Sequence, residues 1–256
     1  MVMPWVMQRR AKNVANGKNP LQLHPYNPTY LYDSAIRPLR NMAVNGVIWY
    51  QGESNATNIE IHERLFPLLI QSWRSFFADS SLPFYYVQLS SINRPSWPWF
   101  RDSQRTMMQQ LPNTGMAVSS DLGDSLDVHP RNKQPIGERL ARWALSTHKG
   151  FEQIVPSGPL FVGAKMQGKK VVVEFKYGKN LTTADNQPLR TLELAGADKV
   201  FYPAKTTLKD GVLEAWSDSV QQPKFVRYAY QPFTRGNLVN SDKLPASTFL
   251  SAISAK

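Results

Sequence analysis

The sequence predicts an α/β protein: a parallel sheet covered by helices over residues 1–155, followed by a small antiparallel β-sandwich over 156–256. Three observations carry this. Apolar runs of strand length alternate with helix-period patterns three times before residue 150, the order of a parallel sheet covered by helices. Beyond Gly150 the runs are short, regularly spaced and separated by turn signals, with no helical pattern between them, as in antiparallel sandwiches or barrels. Late in the first region lies Asp121-Leu-Gly-Asp-Ser-Leu-Asp-Val-His-Pro-Arg131, three carboxylates and one imidazole where strand character stops and a helix begins.

Residues 1–45 are rich in proline, asparagine and aromatics, and Pro20, Pro25, Pro28 and Pro38 break any long period, so an extended covering segment is expected, with a short helix near Tyr32 to Asn41. Gly46-Val-Ile-Trp-Tyr50 reads as a strand buried on both faces. It ends in the polar turn Gln51-Gly-Glu-Ser-Asn55. From Asn58 to Ala78, Ile59, Leu65, Phe66, Leu69, Ile70, Trp73, Phe76 and Phe77 recur near helical spacing, an amphipathic helix. Its His62 lacks a partner motif and reads as a surface or packing residue. Phe84 to Leu89 is a second buried strand, Asn93 to Phe100 a loop rich in proline and tryptophan, and Asp102 to Leu111 a helix. Gly115 to Ser119 is the third strand, and Lys133 to His148 closes this half as a helix with Ile136, Leu140, Trp143, Ala144 and Leu145 on one face. In the second half Lys170 to Lys176, Thr191 to Leu194, Lys199 to Tyr202, Thr206 to Leu208, Val212 to Trp216 and Lys224 to Tyr230 are strand-like, with turns at Tyr-Gly-Lys-Asn and Lys-Asp-Gly. This half has no histidine and no compact acid cluster; it reads as a packing or carbohydrate-facing module.

Composition excludes several classes. Without cysteine there is no disulfide, thiolate chemistry or Cys-ligated zinc. No cofactor motif, metal-ligand spacing or phosphate loop is present, and no apolar run approaches the ~18 residues of a membrane span. Met1 to Arg10 carries tryptophan, proline and two arginines where a signal peptide needs an apolar core. The net charge of +11 raises a nucleic-acid reading, but 16 basic and 10 acidic residues fall in 1–150 and 14 and 9 in 151–256, so the excess is spread. No nucleic-acid motif accompanies the densest basic stretch, Arg9, Arg10, Lys12, Lys18, Arg37 and Arg40.

Ligand sites of such sheets form beyond the carboxyl ends of the strands. Gln51 to Asn55 and Asp121 to His129 both fall there. A histidine held by a carboxylate such as Asp127, its other ring nitrogen facing a cleft, is the arrangement of a general base that activates a hydroxyl.

Gly46-Val-Ile-Trp-Tyr-Gln-Gly-Glu-Ser-Asn-Ala56 and Asp127-Val-His-Pro-Arg-Asn-Lys-Gln-Pro-Ile-Gly-Glu-Arg-Leu140 together resemble the bacterial sialate O-acetylesterases of the SGNH hydrolase superfamily. The likeness continues through Ser157-Gly-Pro-Leu160, Val226-Arg-Tyr-Ala229 and the stretch from Asn237 to the Leu244-Pro-Ala-Ser247 ending, so it extends from about Pro20 onward. It implies a three-layer SGNH-like sheet and a serine esterase that removes acetyl groups from sugars. The resemblance further implies acetylated sialic acids or acetylated plant polysaccharides such as xylan as substrates, no cofactor, and a periplasmic or secreted location. By this resemblance His129 is the catalytic histidine, Gln51 helps bind the oxyanion, Glu53 and Asn55 shape its loop, and Asp127 orients His129. Many relatives carry that acid three positions before the histidine, where Leu126 stands here, so Asp121 and Asp124 remain alternatives.

The family's nucleophile block, a strand followed by an exposed serine near the amino end, has no counterpart. Gly123-Asp-Ser-Leu126 spells the motif literally but inside the histidine block; Ser34 lacks a preceding strand, and Ser54 belongs to the oxyanion block. The expectation is therefore the carboxyl-terminal part of a longer esterase, its sheet incomplete at the amino end. The strand around Val47 would then have an unpaired apolar edge that favours self-association or a missing amino-terminal portion. The alternative class is a catalytically silent remnant that binds carbohydrate or a partner. In either, Trp97, Trp99 and Phe100 are candidates to stack on sugars, although packing is their commoner role.

Overall fold

The computed structural model describes residues 7–8, 29–147, 151–209 and 211–254. Most of the expected covering segment, the basic residues Arg9 to Lys18, the start of the resemblance near Pro20, His148 and Asp210 lie outside them.

The first half builds a parallel sheet in the order β1 (Val47–Trp49), β2 (Phe84–Gln88), β3 (Thr114–Val118), with α1 (Ile59–Phe76), α2 (Trp97–Gln110) and α3 (Gln134–Thr147) between and after the strands. Val47 stands opposite Phe84, and Phe84 opposite Thr114. All five residues of β2 are buried, which is why its sequence is a continuous apolar run rather than an alternating one. On one face Phe66 of α1 meets Phe84 and Tyr86 edge-on, at 5.9 and 4.9 Å between ring centres. On the other, Trp143 of α3 lies flat over Gly115, where any Cβ would strike the indole, and donates from Nε1 to Met116 O at 3.0 Å.

α2 begins five residues before the expected Asp102. Pro98 falls in its first turn, where the missing N–H costs nothing and the fixed φ suits a helix, so the residues that suggested a loop start the helix instead. The short helix expected at Tyr32 to Asn41 is a π-turn, Tyr32–Ile36, continued as a 3-10 turn, Arg37–Leu39, with Pro38 interrupting the α pattern.

The second half contributes β4 (Leu160–Gln167), β5 (Lys170–Lys176), β6 (Thr182–Thr183), β7 (Leu192–Ala195), β8 (Phe201–Pro203), β9 (Lys205–Lys209), β10 (Val212–Trp216), β11 (Phe225–Tyr228), β12 (Leu238–Val239) and β13 (Phe249–Ala252). Two four-stranded antiparallel sheets, β4-β5-β10-β9 and β13-β11-β7-β8, share one apolar cluster in which Val171, Val173 and Leu213 of the first meet Leu194, Val226 and Phe249 of the second. β4 and β13 are not apparent in the sequence: β4 is broken by a register shift between Phe161 and Gly163, and β13 is four residues long.

Among the described residues β1 has a single partner, β2. Ile48 shares a face with Tyr85, but Trp143 stacks on Tyr85 and stops short of β1, leaving Ile48 70% exposed.

Candidate active site

The site is assembled from the three turns that leave β1, β2 and β3 on one side of the sheet. In the first, Gly52 donates its N–H to the Glu53 carboxylate at 2.9 Å, and Asn55 N closes onto Gly52 O at 2.8 Å. Gly52 has φ +153°, and a Cβ there would come within 2.8 Å of the Phe100 ring, so only glycine lets this turn lie against α2. Asn55 Nδ2 donates to His62 Nδ1 at 3.2 Å. His62 is 3% exposed, its ring between Phe66 (5.2 Å) and Phe100 (4.6 Å), and burial pulls its pKa down to about 4. It is therefore neutral near pH 7 and serves as a packing residue that fixes Asn55. A cleft of about 410 Å³ beside it is lined by Trp49, Gln51, Asn55, Leu65 and Leu68.

The third turn separates the three candidate acids by what each touches. Asp121 makes a two-pronged pair with Arg139 of α3, both contacts 2.7 Å, while Arg139 also donates to Val118 O. Asp124 accepts the N–H groups of Leu126 and Asp127 at 2.8 and 3.2 Å, and these bonds lower its pKa. Asp127 accepts His129 N–H at 2.9 Å, and the same oxygen lies 3.7 Å from His129 Nδ1. Of the three, Asp127 is the carboxylate beside the imidazole. That separation exceeds the ~2.7–3.2 Å of a formed hydrogen bond. The His129 side chain is 80% exposed and Asp127 46%.

A small apolar cluster joins the turns. Ala56, Leu89, Ile92, Trp97 and Phe100 form it, and both Tyr50, next to Gln51, and Val128, between Asp127 and His129, pack against it. The Lys133 ammonium lies over the Tyr50 ring at 4.8 Å, and Asn93 N donates to Ser125 O at 3.2 Å. The Tyr50 hydroxyl faces Ser90 and Ser119; burial raises its pKa, and the two serine hydroxyls act against that rise. Gln51 and His129 are thereby held on loops anchored in common. Tyr50, Ser90, Ser119 and Arg139 escaped the sequence reading; the position of each just past a strand end, or one helix away, is the signal available for them.

The serines considered as nucleophiles are otherwise placed. Ser34 Oγ donates to Tyr30 O at 2.7 Å on an exposed turn, Ser54 lies within the Gln51 turn, and Ser125 offers its carbonyl to Asn93. Among the described residues no serine hydroxyl is hydrogen-bonded to the His129 ring. Trp97 and Phe100 are buried in the cluster, which removes them as sugar platforms; Trp99 is 53% exposed, edge-on to Tyr230 at 5.4 Å. No helix among the described residues is long and apolar enough to cross a membrane.

The sialate O-acetylesterase of Mus musculus is 35% identical over 158 residues, 53% of this chain and 29% of that protein. The Homo sapiens protein of the same name is 33% identical over 175 residues, 60% of this chain and 34% of that one. The chain thus spans about a third of the length of these curated relatives. The crystal structure of a carbohydrate acetylesterase from Xanthomonas citri superposes with a TM-score of 0.81 at 37% identity, covering 92% of this chain and 56% of that one. Residues 13–146, which contain all three turns of the site, match the family described as carbohydrate esterase, sialic acid-specific acetylesterase, and the chain belongs to that family.

Proposed function

We propose that this chain supplies the base and part of the oxyanion site of a serine esterase that removes O-acetyl groups from sugars. In this reading His129 takes the proton from an attacking serine, Asp127 holds the imidazole after a small rotation of two exposed side chains, and the Gln51 amide meets the developing oxyanion. A donor of that kind is worth about 3 kcal/mol because it meets charge present only in the transition state. The serine comes from outside the described residues, and water then releases acetate. The one observation that carries the reading is the shared packing of Tyr50 and Val128 on a single apolar cluster, which supports Gln51 and His129 acting at one place. The family's description and the relatives' names support an acetylated sugar as substrate; in this reading the protein acts in the periplasm or after secretion. The parallel-sheet half, up to about residue 155, carries the chemistry, and the sandwich-like remainder supports it.

A second reading, a silent remnant, draws on the 3.7 Å gap between Asp127 and His129 and on the absence, among the described residues, of a serine hydroxyl hydrogen-bonded to the imidazole. Acetate release separates the two. The chain alone should be inactive, with or without His129→Ala. Fusion to the part of the Xanthomonas citri protein that lacks a counterpart here should give His129-dependent release. Activity of the chain alone that is lost with His129 would redirect the search to Ser34, Ser54 and Ser125; a folded fusion without activity would favour the silent remnant.

A further inference from the structure

Arg101 is a charged side chain that the proposed chemistry does not use, and it is completely buried. It stands on α2 facing the β-rich half, where Nη2 donates to Ala229 O at 2.9 Å and Gln231 O at 2.6 Å, and Nη1 to Pro232 O at 3.2 Å. Its remaining contact runs the other way, from Nη1 to Ser91 Oγ at 3.2 Å. Ser91, also fully buried, is a junction: its hydroxyl accepts from Arg101 and from Thr234 N at 3.3 Å and donates to Ser120 O at 2.7 Å. One donated and two accepted bonds are the full capacity of a hydroxyl. Ser120 opens the 3-10 turn that leads to Asp121 and on to His129. Gly123, three residues further, lies so close to the Ser91 backbone that no Cβ fits between them.

A buried guanidinium is expensive to desolvate, and simple adhesion between the two halves could be achieved with apolar contact. Apolar contact has no direction. What the arginine adds is a fixed geometry, a rigid plane in which the N–H donors of Nη1 and Nη2 meet three carbonyls of one loop and the hydroxyl of another, while Nε–H is buried without a partner. We propose that Arg101 and Ser91 are positioning residues, through which the Ala229–Thr234 loop of the β-rich half sets the path of the loop that carries His129. The β-rich half is then part of the site's scaffold rather than only a module beside it. The inference rests on the reading of His129 as the site's base, but its test does not require turnover.

Ser91→Ala removes the junction while leaving the packing nearly intact. Hydrogen exchange of the Ser120 to His129 amides should quicken about tenfold, the scale of one lost buried hydrogen bond, while amides of β7, β10 and β11 keep their protection. The ring resonances of His129 should move in the NMR spectrum. Arg101→Lys, which keeps the charge but cannot reach four acceptors, should give the same local pattern. Unchanged exchange and unchanged His129 resonances in both folded variants would overturn the proposal and leave Arg101 as an adhesive between halves; so would a uniform loss of protection across the β-rich half. If these signatures appear and the fusion is still inactive, the esterase reading fails and the positioning link stands.

Discussion

Two histidines flank one small apolar cluster and could hardly be treated more differently. His62 is wedged between Phe66 and Phe100, lends its Nδ1 to Asn55, and is kept neutral by burial. His129 projects into solvent from a loop whose only apolar anchor on that cluster is Val128. The first is locked and stays neutral near pH 7; the second is open to whatever approaches. Burial, not residue type, separates the two: the same cluster holds the ring of His62 and, through Val128, the loop of His129, and only the second imidazole is placed to meet a substrate as proposed.

The comparison can be broken most forcefully at the element both histidines share. Phe100→Ala should cost about 3–5 kcal/mol, as for other fully buried aromatics, because it removes the ring beneath Gly52 and beside His62 from the cluster on which Val128 packs. Urea denaturation measures this, and a loss below 1 kcal/mol would mean that the cluster does not hold the site. The next effect is in pH. The folded-state pKa of His62, about 4, lies below its unfolded value of 6.5. The unfolded chain therefore binds the proton first as pH falls. Stability from this group is intact above pH 6.5, declines by about 3 kcal/mol between 6.5 and 4, and is flat below. His62→Gln should show a correspondingly shallower decline in that window than the unsubstituted chain.

Gly52→Ala should cost about 1–3 kcal/mol, since the methyl must displace the Phe100 ring and the backbone is at a positive φ. The melting temperature reads this directly. Smallest is Asp127→Asn: the amide oxygen can still accept His129 N–H, so stability should stay within about 0.5 kcal/mol on an exposed loop. The same change should lower turnover of the fused esterase at least about tenfold, because an amide cannot stabilise the imidazolium.

How much of this was legible follows from the range of the forces involved. The strands around Val47, Phe84 and Gly115 announce themselves because a strand covered on both sides must be apolar throughout, and α1 because its apolar residues recur with the helical turn. The start of α2 did not, since Pro98 signals a break as readily as a helix's first turn. Gln51, Asp127 and His129 were visible as motifs, but the sequence could not tell what each of Asp121, Asp124 and Asp127 touches: Arg139 holds the first, the N–H groups of Leu126 and Asp127 hold the second, and the third lies beside the imidazole. Arg101 was invisible for a physical reason: its partners are backbone carbonyls about 130 positions away, and every residue has a carbonyl.

The most direct measurement is acetate release by the fused esterase carrying His129→Ala or His62→Gln, each checked for folding. The expected result is a loss of about 100-fold or more in kcat for His129→Ala, the scale of a missing general base, and a change within about fivefold for His62→Gln despite its lower stability. Full activity without His129, or a folded His62→Gln protein that no longer turns over, would contradict it.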